Sequence, residues 1–219
     1  MYTDLQKGTA VLLRGAGIIP VLVVDDVDTG LRLCDALAAG GLKAVEITFR
    51  TSAAPDVIKA AVKKFPRLMV GAGTVLNTEQ LRWAFDLGVS FAVAPGFNPN
   101  VVEAAVEAGY AFSPGVATPS EIEQAYDLGV RFMKFFPAEA SGGVAMLKAL
   151  AAPYRHLGLS FMPTGGVTPE NAPSYLALDE VAAVGGTWLG KADDVRAGNW
   201  EKIEKDAAAA MGMLAACRG

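Results

Sequence analysis

The residues best suited to chemistry are charged side chains set inside apolar runs. In Arg131-Phe132-Met133-Lys134-Phe135-Phe136-Pro137 a lysine sits between aromatics, and period-two alternation puts Phe132, Lys134 and Phe136 on one face of an extended segment. Aromatic surroundings disfavour the ammonium form by desolvation, which leaves a neutral amine able to attack a carbonyl and form a Schiff base. In Ala44-Val45-Glu46-Ile47-Thr48-Phe49-Arg50 the same rule brings Ala44, Glu46, Thr48 and Arg50 together, if the strand extends that far. Glu46 is then a candidate to shuttle protons while a carbinolamine forms, dehydrates and hydrolyses, and Arg50 offers a planar fork to a carboxylate. A plainer reading stands beside this one: Lys134 snorkels its ammonium outward and pairs with Glu46 in a buried structural ion pair, and Arg50 is a surface charge.

Glycine-rich stretches add a second kind of signal. Pro163-Thr164-Gly165-Gly166-Val167 and Val184-Gly185-Gly186-Thr187 follow or lie in late apolar runs. Glycine there lets backbone N–H groups come close to an anion such as a phosphate, although a GG pair also serves simple turns. Gly71-Ala72-Gly73-Thr74 lacks the lysine of a P-loop and reads as a strand-to-helix turn, suggestive by position only. Ala94-Pro95-Gly96 and Ser113-Pro114-Gly115 repeat one pattern, in which proline caps a strand and its ring can wall a pocket.

Something must hold these groups together. Eight short apolar runs recur: Ile18–Val24, Ala44–Phe49, Leu68–Gly71, Ser90–Ala94, Tyr110–Phe112, Arg131–Phe136, Leu159–Met162 and Val181–Leu189. Each is followed by a stretch with helical spacing, from Gly30–Ala39 to Trp200–Leu214, and Asn77-Thr78-Glu79 and Thr118-Pro119-Ser120-Glu121 look like helix starts. Strict alternation implies a parallel sheet, and 219 residues over eight units is about 27 each, the short end for an eightfold α/β barrel. We expect a (β/α)8 TIM barrel formed by residues 1–219 as one domain, with residues 1–16 as an extra N-terminal helix covering its floor. The rival, an open doubly wound sheet, needs a G-x-G-x-x-G turn after the first strand, and none follows Ile18–Val24. In the barrel the two GG stretches fall at the seventh and eighth strands, where such folds commonly bind phosphate.

Composition narrows the classes further. The chain is 52% hydrophobic and 19% charged, which excludes a disordered or fibrous protein. Its net charge of −4 without a basic block argues against nucleic acid or a polybasic membrane anchor as partner. The longest apolar stretch, Ala207–Cys217, falls far short of the roughly 20 residues that span a bilayer. Met1–Arg14 lacks the order of a signal peptide and reads as mature sequence. Cys34 and Cys217, far apart, fit a reducing cytoplasm rather than a disulfide framework. The single histidine, His156, reads as a surface loop residue and cannot build a histidine-rich metal site, so a metal-free mechanism is preferred.

The stretches Val45-Glu46-Ile47-Thr48-Phe49-Arg50-Thr51, Val70-Gly71-Ala72-Gly73-Thr74-Val75-Leu76, Lys134-Phe135-Phe136-Pro137-Ala138-Glu139-Ala140, Pro163-Thr164-Gly165-Gly166-Val167 and Val184-Gly185-Gly186-Thr187-Trp188-Leu189 resemble the 2-keto-3-deoxy-6-phosphogluconate aldolases. These are class I aldolases of the Entner-Doudoroff route, and the resemblance runs nearly end to end. It implies that Lys134 forms an imine with the keto carbon and that Glu46 is the general acid/base. It further implies that Arg50 and Thr74 hold the pyruvyl carboxylate, that Phe136 and Pro95 line the pocket, and that Thr164 lies near bound substrate. Gly165, Gly166, Gly186 and Thr187 would take the phosphate, with threonine at 187 where relatives often carry serine. The products would be pyruvate and D-glyceraldehyde 3-phosphate, no cofactor is implied, and a homotrimer is expected. The motifs leave open the galactonate epimer of the substrate or 4-hydroxy-2-oxoglutarate. Two other classes fit a phosphate-binding barrel: a sugar-phosphate epimerase or isomerase, which would not need Lys134, and a non-catalytic phosphate-ligand sensor.

Overall fold

Short strands and helices alternate along residues 2–219, the part of the chain that the computed structural model describes, with side chains from Thr9 onward. The strands are β1 (Ile18–Leu22), β2 (Ala44–Thr48), β3 (Met69–Gly73), β4 (Phe91–Val93), β5 (Phe112–Ser113), β6 (Gly115–Val116), β7 (Phe132–Phe135), β8 (Ser160–Pro163) and β9 (Val184–Gly186). The helices are α1 (Tyr2–Ala16), α2 (Val27–Ala39), α3 (Ala54–Lys64), α4 (Thr78–Asp86), α5 (Pro99–Ala108), α6 (Pro119–Asp127), α7 (Gly143–Ala151), α8 (Ala172–Leu176), α9 (Ala192–Ala197) and α10 (Trp200–Arg218). Met1, the first residue of the expected 1–16 helix, lies outside the described residues.

The helices start where side chains can satisfy their first free N–H groups. Asp26 and Asn77 accept from Thr29 N and Gln80 N at 2.8 Å each, and Thr118 and Glu121 form a capping box at α6. Two of these three starts are the ones the sequence marks.

Every strand ladder is parallel, in the order β5-β4-β3-β2-β1-β9 in one sheet and β6-β7-β8 in the other. Isolated parallel bridges, Phe161 to Val181 and Thr164 to Gly185, join β8 to the segment around β9. The result is an α/β fold built on a curled parallel sheet. Its outer face, with Val45, Ile47, Val70, Met133 and Phe135, packs against apolar helix residues such as Leu33, Val57, Ile122 and Leu147. A second cluster lies on its inner face: Ile19, Ala44, Phe91, Val93, Phe132, Met162 and Ala182, joined by Leu13 and Ala16 of α1.

Two runs differ from expectation. The fifth does not stop at Phe112: the chain continues through Ser113, Pro114 and Gly115, and proline, which has no N–H to donate, divides it into β5 and β6. The two halves pair with different neighbours, β5 with β4 and β6 with β7. The eighth run forms a strand only over Val184–Gly186, and α9, which the periodicity did not indicate, follows it.

Candidate active site

At the C-terminal ends of the strands the inner face changes character. Among the described residues the buried polar side chains are Thr9, Glu46, Thr48, Ser113, Lys134 and Thr164, and all but Thr9 lie on or just past a strand. Lys134 is in the middle of β7 with 5% of its surface exposed, and Glu46 in β2 has 1%. Their side chains meet: Lys134 Nζ donates to Glu46 Oε1 at 3.0 Å and to Oε2 at 3.3 Å. Lys134 Nζ also lies 5.6 Å from the centre of the Phe136 ring.

Neighbouring backbone makes room for this pair. In parallel ladders register partners share a face, and Glu46 pairs with Gly71 and Thr48 with Gly73. A Cβ on Gly73 would stand 2.1 Å from Glu46 Oε1, so the carboxylate occupies space that only glycine leaves free. The Gly-Ala-Gly-Thr stretch is therefore more than a turn. Thr74, directly after it, holds a left-handed backbone (φ 60°) that costs a non-glycine residue about 1–3 kcal/mol. Bonds on either side fix it, Phe49 N to Gly73 O at 2.8 Å and Val75 N to Val93 O at 3.2 Å.

The pair opens into a cavity of about 260 Å³. Its wall contains every residue to which the family resemblance gives a role, Glu46, Arg50, Thr74, Pro95, Lys134, Phe136, Thr164, Gly165, Gly166, Gly186 and Thr187, but not Pro114, whose ring the repeated Pro-Gly pattern also offered as a pocket wall. Arg50 lies beyond the end of β2, yet it still reaches the cavity. Val21 and Thr48 complete the wall, and neither had been given a role. Thr48 shares the face of Glu46 by alternation, and that was the available signal; Val21 is an ordinary strand valine that nothing in the sequence distinguishes. Thr48 is 1% exposed, donates from Oγ1 to Leu22 O at 2.9 Å and accepts from Arg50 Nε at 3.1 Å. Its proton is committed to a carbonyl, so its lone pair anchors the guanidinium.

In the same cavity wall Gly165 and Gly166 take left-handed φ values of 95° and 80°. The loop after β7 braces them: Ala138 N donates to Thr164 O at 2.8 Å and Glu139 N to Gly165 O at 3.0 Å. The Glu139 carboxylate in turn accepts a hydrogen bond from the Tyr175 hydroxyl of α8. Burial, reinforced by that bond, raises the Tyr175 phenol above its usual range, so it remains a donor. His156 is exposed in a 3₁₀ turn before β8. Among the described residues no cluster of three or more His, Cys, Asp or Glu is placed to hold a metal.

An amine and a carboxylate in contact at the open end of parallel strands, in a cavity whose wall also contains a cation and a glycine loop, is a site for covalent chemistry on an anionic carbonyl compound. Comparison with known proteins agrees. The family described as KDPG and KHG aldolase matches residues 10–206. The chain is 42% identical over 194 residues to the KHG/KDPG aldolase of Escherichia coli K12, covering 89% of this chain and 90% of that protein. Among solved structures it superposes on the KDPG aldolase of Legionella pneumophila, captured with pyruvate as a covalent carbinolamine, with a TM-score of 0.88 and 34% identity, covering 92% and 97% of the two chains. On the Zymomonas mobilis ZM4 enzyme with 3-phosphoglycerate the TM-score is 0.85 at 38% identity, covering 95% of each chain. The chain belongs to the KDPG and KHG aldolase family.

Proposed function

We propose that this chain is a class I aldolase, a carbon–carbon lyase that cleaves 2-dehydro-3-deoxy-6-phosphogluconate to pyruvate and D-glyceraldehyde 3-phosphate. The observation that carries the reading is the contact between Lys134 Nζ and Glu46 at 3.0 Å inside a cavity whose wall also contains Arg50 and the two glycine stretches. Family membership supports it, as does the Legionella relative, whose pyruvate is bound covalently as a carbinolamine.

In the mechanism, Glu46 accepts a proton from Lys134, and the neutral amine attacks C2 of the keto acid to give a carbinolamine. Glu46 returns the proton to the departing hydroxyl, water leaves, and a protonated imine remains. A base removes the proton from the C4 hydroxyl, the C3–C4 bond breaks with its electron pair flowing into the imine, and glyceraldehyde 3-phosphate departs. The enamine is protonated at C3, and hydrolysis releases pyruvate and restores the lysine. Arg50, anchored by Thr48, and Thr74 hold the carboxylate in this reading, while Pro95, Phe136 and Thr164 shape the pocket. Gly165, Gly166, Gly186 and Thr187 receive the phosphate through N–H and hydroxyl donors. The only covalent partner required is the lysine, and we assign no metal or cofactor.

The finer architecture goes with this reading. Residues 1–219 form one domain, and the two ladders and their bridges make one closed (β/α)8 barrel with α1 over its floor, which the burial of Leu13 at 1% and Ala16 at 0% supports. A homotrimer fits the exposed apolar side chains of the chain, among them Trp83, which stacks on Phe49 at 5.7 Å, and Leu76. No helix among the described residues is long and apolar enough to cross a membrane, and we place the enzyme in the cytoplasm on its two unpaired cysteines.

Borohydride reduction of the protein mixed with pyruvate, followed by peptide mass analysis, tests the assignment. A three-carbon adduct on Lys134 is expected. An unmodified Lys134 in a protein that still binds phosphorylated sugars would overturn it in favour of an epimerase or a sensor.

A further inference from the structure

The carbonyls of three successive peptides in the glycine loop after β8 are tied down from one side. Thr164 O and Gly165 O accept from the backbone of Ala138 and Glu139, and Gly166 O accepts from Asn171 Nδ2 at 3.1 Å. The same carboxamide accepts from Thr168 N at 2.8 Å through Oδ1, so Asn171 clamps the loop at two points with both ends of its side chain. Asn171 and Glu139 line a separate surface hollow and do not touch the cavity that contains Lys134.

The peptides here are trans, and in a trans peptide the C=O and N–H point in opposite directions. Carbonyls drawn toward Glu139 and Asn171 therefore turn the N–H groups of Gly166 and Val167 to the other side, where Gly165 and Gly166 form the cavity wall. Neither N–H has a protein acceptor among the described residues. Consecutive backbone N–H groups of a turn that face one side form a concave anion receptor.

We infer that Asn171 is a positioning residue for phosphate recognition: it sets the orientation of the Gly166–Val167 peptide and so the aim of the loop's N–H donors, without touching substrate. The inference rests on the reading of this loop as the phosphate end of an aldolase site. Its side chain is one the sequence motifs passed over, five residues beyond the second glycine.

The test compares kinetics of the Asn171→Ala enzyme on 2-dehydro-3-deoxy-6-phosphogluconate with borohydride trapping of pyruvate, which has no phosphate. KM for the phosphorylated substrate is expected to rise about five- to tenfold, the worth of one lost positioning hydrogen bond, with kcat within about twofold and trapping on Lys134 unchanged. An unchanged KM overturns the inference. A parallel fall in cleavage and trapping also overturns it, since that marks a general loss of structure. If the unsubstituted enzyme itself fails to trap pyruvate on Lys134, the aldolase reading fails first. If it traps pyruvate but cleaves 4-hydroxy-2-oxoglutarate as well as the phosphorylated acid, the phosphate reading fails while the lysine chemistry stands.

Discussion

Two layers on the inner face of the sheet are built from the same strands and have opposite natures. On β2, Ala44 lies in the apolar cluster and Glu46, two residues on, holds the ion pair; on β7, Phe132 lies in that cluster and Lys134, two residues on, faces the cavity. Two residues along a strand is about 7 Å, so stability and reactivity are separated by one step of the pleat. The strands are parallel, so these steps all occur at the same end, and each polar side chain meets the others instead of facing a neighbour's apolar end. The apolar layer is what makes the polar one usable: a buried amine and carboxylate are costly to desolvate and persist where rigid packing holds them in contact.

Substitutions that act on one layer alone would test this separation. The largest effect is expected from Lys134→Ala, which removes the nucleophile: turnover should fall by at least about 10⁴-fold and pyruvate trapping should vanish. Retained turnover would mean that the upper layer is a structural ion pair and nothing more. Two residues below, Phe132→Ala opens a cavity in the lower layer and should cost about 3–5 kcal/mol of stability, measured by denaturant unfolding. Its folded fraction should still trap pyruvate; loss of trapping at full folding would show that the layers are not separable. Gly73→Ala acts at the boundary, because the new Cβ would displace the Glu46 carboxylate, 2.1 Å from where it would stand. A misplacement on the ångström scale should lower kcat by about 10²-fold with a smaller change in unfolding free energy. The smallest effect belongs to Ser113, 2% exposed, whose hydroxyl has no partner among the described residues. Ser113→Ala removes an unpaired buried polar group and should leave stability unchanged or raise it by about 1 kcal/mol; a clear loss would reveal a partner for that hydroxyl.

The outer layer offers a check on pH. Cys34 is wholly buried among the outer apolar residues, and burial pushes its thiol up to about 12 from an ordinary value of 9.0. Between those values the unfolded chain releases a proton that the folded chain keeps, so stability falls as pH rises through that interval. Cys34→Ala should flatten that part of the stability curve, seen in thermal melts from pH 8 to 11 and compared with the unsubstituted chain.

Much of this was legible in one dimension. Short continuous apolar runs mark the strands because a parallel strand is buried on both faces, so a charge within one stands out, as Lys134 and Glu46 do. Helix starts were legible at Asn77 and Thr118 because a cap is a local device satisfied within three or four residues. The split at Pro114 was not, since whether a proline ends a strand or only interrupts it depends on which neighbours lie alongside. Thr48 and Asn171 were missed for a related reason: a hydroxyl that anchors an arginine and a carboxamide that clamps a loop are common polar residues until their partners are placed.

The sequence by itself determined the kinds of groups available and the face of each strand on which they lie, because residue type and the period of two are properties of the chain alone. Tertiary structure decided that Lys134 and Glu46, 88 residues apart, are 3.0 Å apart in space, and that Gly73 is the neighbour that makes room for them. The physical reason is that register between strands is set by packing across the whole curled sheet, and no local stretch of chain contains that information.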